Sequence, residues 1–378
     1  MDYRFTEDQI AIKDLADRFT ADEITPNAAA WDADHVFPRT TIEKAAALGF
    51  GAIYLDESAG GIGLNRMDAA IIIEAMAYGC PSTSAFISIH NMATWMIAAF
   101  GAQSVRKRYL PKLVTMENIA SYGLTEPDSG SDAAALKTKA VRKSDHYLVN
   151  GSKAFISGAG ENEVYVCMVR TGDEGHRGIS CLVIEKDMPG VGFGAQERKL
   201  GWHSQPTAMI TFEDVEVPLE NLVGDEGQGF AIAMSGLDGG RLNIGACSIG
   251  GAQRCLDETV EYVKQRKQFG RSIAEFQNTQ FMLADMATEL AAARTLLHVA
   301  AQKVGDGAAD KTTFASMAKL KATEAGSMIA NDALQLHGGY GYLMDYPIER
   351  IVRDLRVHEI LEGTNQIMRM VIGRDLIS

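Results

Sequence analysis

Tyr147-Leu148-Val149-Asn150-Gly151-Ser152-Lys153-Ala154-Phe155-Ile156 is the stretch on which the fold turns. Apolar runs flank Asn150-Gly151, a pair suited to positive φ, and the pattern predicts a β-hairpin. The chain before it reads as helix. Thr6 and Gln9 fit a capping box ahead of Ile10, Ile12, Leu15 and Phe19, and alanine-rich amphipathic segments follow at 41–48, 66–79 and 84–100. Beyond it lie three more strand-like runs, at 164–170, 179–184 and 209–217, the last alternating Ile210, Phe212, Val215 and Val217 before Pro218. Short strands with no helix between them predict an antiparallel sheet. From about residue 228 the helical period returns. Phe276, Met282, Leu283, Met286, Leu290 and Leu297 mark one long helix, and Pro347 leads another through Ile348, Ile351, Val352 and Leu355. The expected fold is mainly α with a central β domain: an N-terminal α domain over 1–118, a middle antiparallel β domain over 119–227 and a C-terminal helical bundle over 228–378.

A chain of 378 residues, 46% hydrophobic and 22% charged, has the material for a large core spread over more than one domain. Its 36 basic and 49 acidic residues give a net charge of −13, which argues against nucleic acid as a partner. The most apolar stretches, around 69–76 and 92–100, are too short to span a bilayer, and the first residues carry neither a signal nor a transit pattern, so a cytoplasmic protein without membrane insertion is expected. Five cysteines without a C-x-x-C pair read as reduced, buried thiols. No G-x-S-x-G or H-E-x-x-H is present, and no metal site is expected. Gly190, Gly192 and Ala195 match G-x-G-x-x-A, but they follow a charged turn rather than an apolar strand, which argues against a Rossmann site.

Two stretches carry possible chemistry. Tyr122-Gly123-Leu124-Thr125-Glu126-Pro127-Asp128-Ser129-Gly130-Ser131-Asp132 offers hydroxyls and free backbone N–H groups to an acceptor-rich planar ligand, although its composition also fits an ordinary capped loop. His358-Glu359-Ile360-Leu361-Glu362-Gly363-Thr364-Asn365-Gln366 predicts a helix broken at Gly363 and a new one capped by Thr364. Glu362, following the apolar pair Ile360-Leu361, has a reason for a raised pKa and suits a general base, although an exposed turn carboxylate fits the same pattern.

Four strings in order resemble the acyl-CoA dehydrogenase family: T-E-P-x-x-G-S-D at Thr125 to Asp132, R-K-x-F-G at Arg266 to Gly270, Q-x-x-G-G at Gln335 to Gly339, and E-G-T-x-Q at Glu362 to Gln366. The resemblance implies a C-terminal four-helix bundle, FAD as cofactor, and α,β-dehydrogenation of an acyl-CoA with Glu362 as the α-proton base. The flavin would meet Tyr122, Leu124, Thr125, Gly130 and Ser131, together with Phe155, Ile156 and Ser157, where many relatives have Trp and Thr in place of Phe155 and Ser157. Arg266, Phe269, Phe276 and Gln277 would hold the dinucleotide of a neighbouring subunit. Gln335, Leu336, His337, Gly338 and Gly339 form a further implied segment, and Thr364, Asn365 and Gln366 another. Ser131, Asp238, Gly239, Gly240, Arg241, Gly363 and Arg374 are the implied acyl-CoA contacts. Some members carry their base at the position of Gly240, which leaves Glu362 without a competitor.

The run Asp238-Gly239-Gly240-Arg241, with Leu336 to Leu343, most resembles family members that act on short, branched thioesters such as isobutyryl-CoA, as in valine catabolism. Butyryl-, 2-methylbutyryl- and isovaleryl-CoA are the alternatives, as are an oxidase and a silent flavin-binding scaffold. The implied partner is an electron-transfer flavoprotein, and the implied assembly a homotetramer built as a dimer of dimers. His337 and His358 read as packing histidines, and Trp202 as a buried residue of the β domain.

Overall fold

Thr6 opens the first helix as its sequence predicts: its hydroxyl accepts from the Gln9 N–H at 3.2 Å, and Gln9 Oε1 accepts from the Thr6 N–H at 3.2 Å. The structure, a computed structural model, describes residues 5–173 and 175–377. The N-terminal helices are α1 (Glu7–Phe19), α2 (Ala28–Ala33), α3 (Arg39–Ala47), α4 (Arg66–Gly79), α5 (Pro81–Phe100) and α6 (Gln103–Val114). α4 and α5 are apolar or small on nearly every face, and both are buried on nearly every face.

The middle region folds as β1 (Ala120–Gly123), β2 (Lys139–Arg142), β3 (His146–Ser157), β4 (Val164–Arg170), β5 (Ile179–Glu185), β6 (Val191–Phe193), β7 (Thr207–Pro218) and β8 (Leu222–Val223). Along the sheet the order is β6-β7-β3-β2-β4-β5-β8, with β1 also paired to β4. Two expectations need correction. The sheet is mixed, because β1 runs parallel to β4 and β2 meets β4 in parallel at Lys139 and Arg170. And Asn150-Gly151 is no hairpin turn: β3 runs straight through it, and the β2–β3 turn lies at residues 143–146 instead. The pair faces a bulge in β7: between the partners Val149–Val215 and Gly151–Phe212 β3 has only Asn150, whereas β7 has Glu213 and Asp214. Gly151 supplies φ +143, and Asn150 trades side-chain hydrogen bonds with Asp214 at 2.9 Å.

β4 and β5 are buried on both faces, which is why they read as continuous apolar runs. Val164, Val166 and Met168 face the helices, while Tyr165, Cys167 and Val169 face the β-domain core.

The chain closes with α7 (Gly229–Gln265), the short ladder β9 (Lys267–Gln268) and β10 (Arg271–Ser272), α8 (Gln277–Gly305), α9 (Lys311–His337), α10 (Ile348–Arg356) and α11 (Asn365–Ile377). α7, at 37 residues, runs roughly 55 Å at the usual helical rise and packs against α4, α5, α8 and α9. Close approach is bought with glycine: a Cβ on Gly250 would sit 2.2 Å from the Glu74 carbonyl oxygen of α4.

Trp202 is buried, but on the helical side rather than in the β-domain core. Its backbone N–H donates to Asp354 Oδ1 at 2.6 Å and its ring meets His358 edge-on at 5.5 Å, so it joins the sheet to the C-terminal helices. All five cysteines are free and buried. Among the described residues no helix is long and apolar enough to cross a membrane, and no cluster of His, Cys, Asp and Glu is placed to hold a metal ion.

Candidate active site

Glu362 stands in a junction of unusual backbone. α10 ends at Arg356, seven residues before the expected break at Gly363, and a 3₁₀ turn at Val357–Glu359 carries the chain onward. Glu362 then has φ +56 and Gly363 φ +87. A left-handed conformation is strained for a glutamate and persists only where neighbours fix it. Here Lys319 Nζ donates to the Gly363 carbonyl at 2.8 Å and to Asn365 Oδ1 at 2.9 Å. Arg241 Nε reaches the Glu362 carbonyl at 3.5 Å, and Thr364 caps α11 through the Ile367 N–H at 3.2 Å.

The junction aims the carboxylate at α7. A Cβ on Gly240 would lie 2.3 Å from Glu362 Oε2 and 2.9 Å from Met92 Sδ, so only glycine admits this arrangement. Oε2 is buried and has no hydrogen-bond partner among the described residues. Burial raises the Glu362 pKa to about 7, against the opposing pull of Arg241 and Lys319. A carboxylate with a free lone pair and a pKa near neutrality is equipped to take a proton from carbon.

A set of buried charges surrounds it; the sequence had pointed to Asp238 and Arg241 but not to Lys319 or Arg66. Arg241 Nη1 pairs with Asp238 Oδ1 at 3.0 Å, while Asp238 Oδ2 accepts from the Thr312 hydroxyl at 2.8 Å. Burial lowers Lys319 to about 8. Arg66 lies against Gly239 and over the Tyr54 ring at 3.7 Å. The Tyr122 hydroxyl is buried without a partner among the described residues, its pKa raised by burial and by the nearby Glu362 charge. Nothing local marks Lys319, Thr312 or Tyr54. Arg66 did carry a signal, because a cation in the first turn of a helix opposes the macrodipole and asks for another reason to be there.

The segment from Tyr122 to Asp132 leaves β1 and turns back on itself, with Glu126 and Ser129 exchanging backbone hydrogen bonds at 3.0 and 3.1 Å. Buried Glu126 holds the turn. It accepts from the N–H groups of Lys137 at 2.6 Å and Thr138 at 2.9 Å, and from Lys153 Nζ at 2.8 Å. Lys153 is fully buried, at the inward parity of Tyr147 and Val149, a second signal that could have been read. The Ala154 N–H donates to the Thr125 carbonyl at 2.9 Å, which ties β3 to this loop. Next to that tie Phe155 stands 68% exposed with φ +57, while Gly130 and Ser131 are open to solvent.

The other sequence-predicted residues divide by exposure. Arg266, Phe269, Gln277, Gln335, Gly338, Gly339, Gln366 and Arg374 are exposed; Thr125, Ser157, Phe276, Gly363 and Thr364 are half-buried. Leu124, Ile156 and His337 are buried and Leu336 packs on the core. His337 stacks on Tyr262 at 4.3 Å and binds the Ala333 carbonyl at 2.7 Å, as a packing histidine should. His358 is buried against Ser248 Oγ at 2.8 Å, with its pKa pushed down to about 3. Asn365 departs from expectation: its amide is buried with Lys319 and Thr323, which leaves it no side-chain contact with a cofactor. Gly239 likewise faces Arg66 rather than open space.

A flavin dinucleotide fits these residues. The exposed Phe155 ring, the open loop at Gly130-Ser131 and the orphaned Tyr122 hydroxyl suit the ring system. Arg266, which rests over Tyr340 at 5.4 Å and pairs with no carboxylate among the described residues, suits the diphosphate.

Three family profiles cover the chain: the acyl-CoA dehydrogenase N-terminal domain at residues 6–117, its middle domain at 121–215 and its C-terminal domain at 227–377. A mitochondrial isobutyryl-CoA dehydrogenase of Bos taurus is 53% identical over 98% of this chain and 89% of its own length. One from Dictyostelium discoideum is 54% identical over the same shares, 98% and 89%. The solved structure of butyryl-CoA dehydrogenase from Megasphaera elsdenii superposes with a TM-score of 0.97 at 35% identity, covering 100% of both chains. By profile, identity and fold along nearly its whole length, the chain belongs to the acyl-CoA dehydrogenase family.

Proposed function

We propose that this protein oxidises isobutyryl-CoA to methacrylyl-CoA, with Glu362 as the base that removes the α-proton. Its family makes it an FAD-dependent oxidoreductase acting on the CH–CH bond of an acyl-CoA, and its similarity to isobutyryl-CoA dehydrogenases supports a short branched chain. The observation that carries the role of Glu362 is its unpartnered Oε2, set against Gly240 with a pKa near 7.

Bound FAD supplies the acceptor for the β-hydrogen and its electron pair. The chain does the rest. Glu362 Oε2 takes the α-proton and becomes a neutral acid, which its buried surroundings tolerate better than the charge. Arg241 and Lys319 hold the junction through its carbonyls and keep enough charged carboxylate available at neutral pH. The Gly240 notch gives the carboxylate room to lie against α7. Phe155 and the Thr125–Ser131 loop would hold the flavin ring, with Arg266, Phe269, Phe276, Gln277 and the Gln335–Gly339 segment on the dinucleotide. Ser131, the Asp238–Arg241 pair, Gly363 and Arg374 would serve the acyl-CoA.

Electrons would pass on to an electron-transfer flavoprotein, and the chain would assemble as a homotetramer. The exposed apolar side chains of Phe269, Phe281, Tyr342 and Met344, 94%, 58%, 80% and 66% accessible, are the kind of surface that subunit contacts cover.

Anaerobic bleaching of the purified flavoprotein by a panel of acyl-CoAs tests the substrate. Isobutyryl-CoA is expected to give the highest kcat/KM; a clear preference for butyryl-, 2-methylbutyryl- or isovaleryl-CoA would replace it. Fast reoxidation of the bleached enzyme by oxygen alone would mark an oxidase.

A further inference from the structure

Beyond Glu362 the contact between α5 and α7 ends in a polar cluster. α7 presents Gly236, Gly240 and Asn243 at one-turn spacing, and α5 runs against them. Met92 and Met96 lie under Gly236, Met92 Sδ lies at the Gly240 notch, and the Ser88 carbonyl is 3.5 Å from Asn243 Nδ2. Asn243 Nδ2 also donates to the Tyr54 hydroxyl at 3.4 Å. Tyr54 is 8% exposed, and its loop is pinned to α5: Asn91 Oδ1 accepts from the Ile53 N–H at 2.8 Å and Asn91 Nδ2 donates to the Phe50 carbonyl at 2.8 Å.

Arg66 completes the cluster. Its guanidinium sits 3.7 Å from the Tyr54 ring centroid and 4.9 Å from that of Trp95, and among the described residues its buried Nη1 has no hydrogen-bond partner and the guanidinium no ion pair. Stacking on the two rings holds it. Gly239 is what admits it, since a Cβ there would lie 2.4 Å from Nη1. The Tyr54 phenol stays neutral, its pKa raised by burial, and it lies within electrostatic reach of Glu362.

We propose that Tyr54, braced by Arg66 and Asn243, is the end wall of the acyl pocket and sets the length of chain that fits beyond Glu362. The proposal rests on Glu362 facing the α-carbon. Asn243 is three residues past Gly240, a rise of about 4.5 Å. An acyl chain that passes Glu362 along α7 therefore meets a buried ring within one helical turn. Further methylenes would also have to displace the Asn243–Tyr54 contact and leave polar atoms unpaired. A branch methyl at the α-carbon stays on the near side of the wall and meets neither penalty.

The test is kcat/KM for isobutyryl-, butyryl-, hexanoyl- and octanoyl-CoA with FAD-loaded wild type, Tyr54→Ala and Tyr54→Phe. Wild type should lose about 10-fold or more from butyryl to hexanoyl, the size of effect a pocket exerts on a small change in chain length. Tyr54→Ala should raise the hexanoyl-to-butyryl ratio about 10-fold or more, while Tyr54→Phe, which keeps the ring, should move it by less than about threefold. An unchanged ratio in Tyr54→Ala overturns the wall. So does wild-type enzyme whose flavin spectrum reports octanoyl-CoA binding as tight as butyryl-CoA, a result readable even if Tyr54→Ala fails to hold FAD. The ranking of isobutyryl against butyryl in wild type tests the substrate assignment separately, because both chains are short enough to clear the wall.

Discussion

Glu362 carries two local penalties, a left-handed backbone and a buried carboxylate oxygen without a partner. Groups kept in such a state at a junction fixed by Lys319 and Arg241 are poised for chemistry rather than stability. The electrostatics have a sign that can be checked. Glu362 has its pKa raised from 4.5 to about 7, so the folded state holds this proton more tightly than the unfolded chain. Its contribution to stability falls as pH rises between those two values, and above 7 the penalty is complete. Glu362→Gln should therefore stabilise the protein by roughly 1–3 kcal/mol at pH 8 and change little near pH 4.5. Thermal unfolding at the two pH values reads this, and equal shifts at both would mean that the carboxylate is not held near neutrality. By the same titration, kcat/KM should rise with pH through about 7 and then level off, since only the carboxylate form can accept the proton.

Among elements, β3 and its neighbours decide whether the loop at Tyr122–Asp132 keeps its shape. The Lys153–Glu126 pair is buried, at 2.8 Å, and Glu126 also satisfies two N–H groups beyond the loop. Lys153→Met would leave a carboxylate buried and under-paired, which typically costs about 3–5 kcal/mol. The expected result is lower stability in denaturant together with weaker FAD retention, part of which Lys153→Met combined with Glu126→Gln should recover. If Lys153→Met keeps both stability and FAD, the pair does not hold the loop. The same region shows where the sequence stopped being legible. α4 lies at 66–79 as expected, because its Asn65 cap and apolar run are local, but it is buried on nearly every face rather than amphipathic. Asn150-Gly151 misled, because of the pair only Gly151 takes a positive φ, +143, and it serves a register shift against β7 rather than a turn, which only the β7 partner strand reveals. β1, four residues long, was too short to show a period, so its parallel pairing with β4 had no signature.

At the scale of the molecule, α–β–α organisation and the motif-bearing segments, Glu362 and Arg241 among them, could be read in advance, but not that Arg66 and Lys319 would join them. Arg66, Lys319, Arg241 and Glu362 come from four separate stretches of chain and meet only once α4, α7, α9 and the junction before α11 are packed. The apolar surface around Phe269 and the free Arg266 belong to the same scale. Arg266→Ala should weaken FAD affinity, since a diphosphate would lose a charge-assisted hydrogen bond. Phe269→Glu should shift the assembly towards smaller species in sedimentation. Unchanged FAD titration in the first, or an unchanged sedimentation profile in the second, would remove that residue from its assigned contact. The central claim is chemical, and one measurement addresses it: anaerobic mixing of FAD-loaded Glu362→Gln with isobutyryl-CoA, followed by flavin absorbance. Gln keeps the volume of the side chain and a hydrogen-bonding end but cannot accept the proton, and loss of a general base typically costs on the order of 10²–10⁴-fold. With Glu362 as the base, the variant shows a ligand-induced spectral shift with no bleaching on the wild-type timescale; bleaching at close to the wild-type rate would mean that another group takes the α-proton.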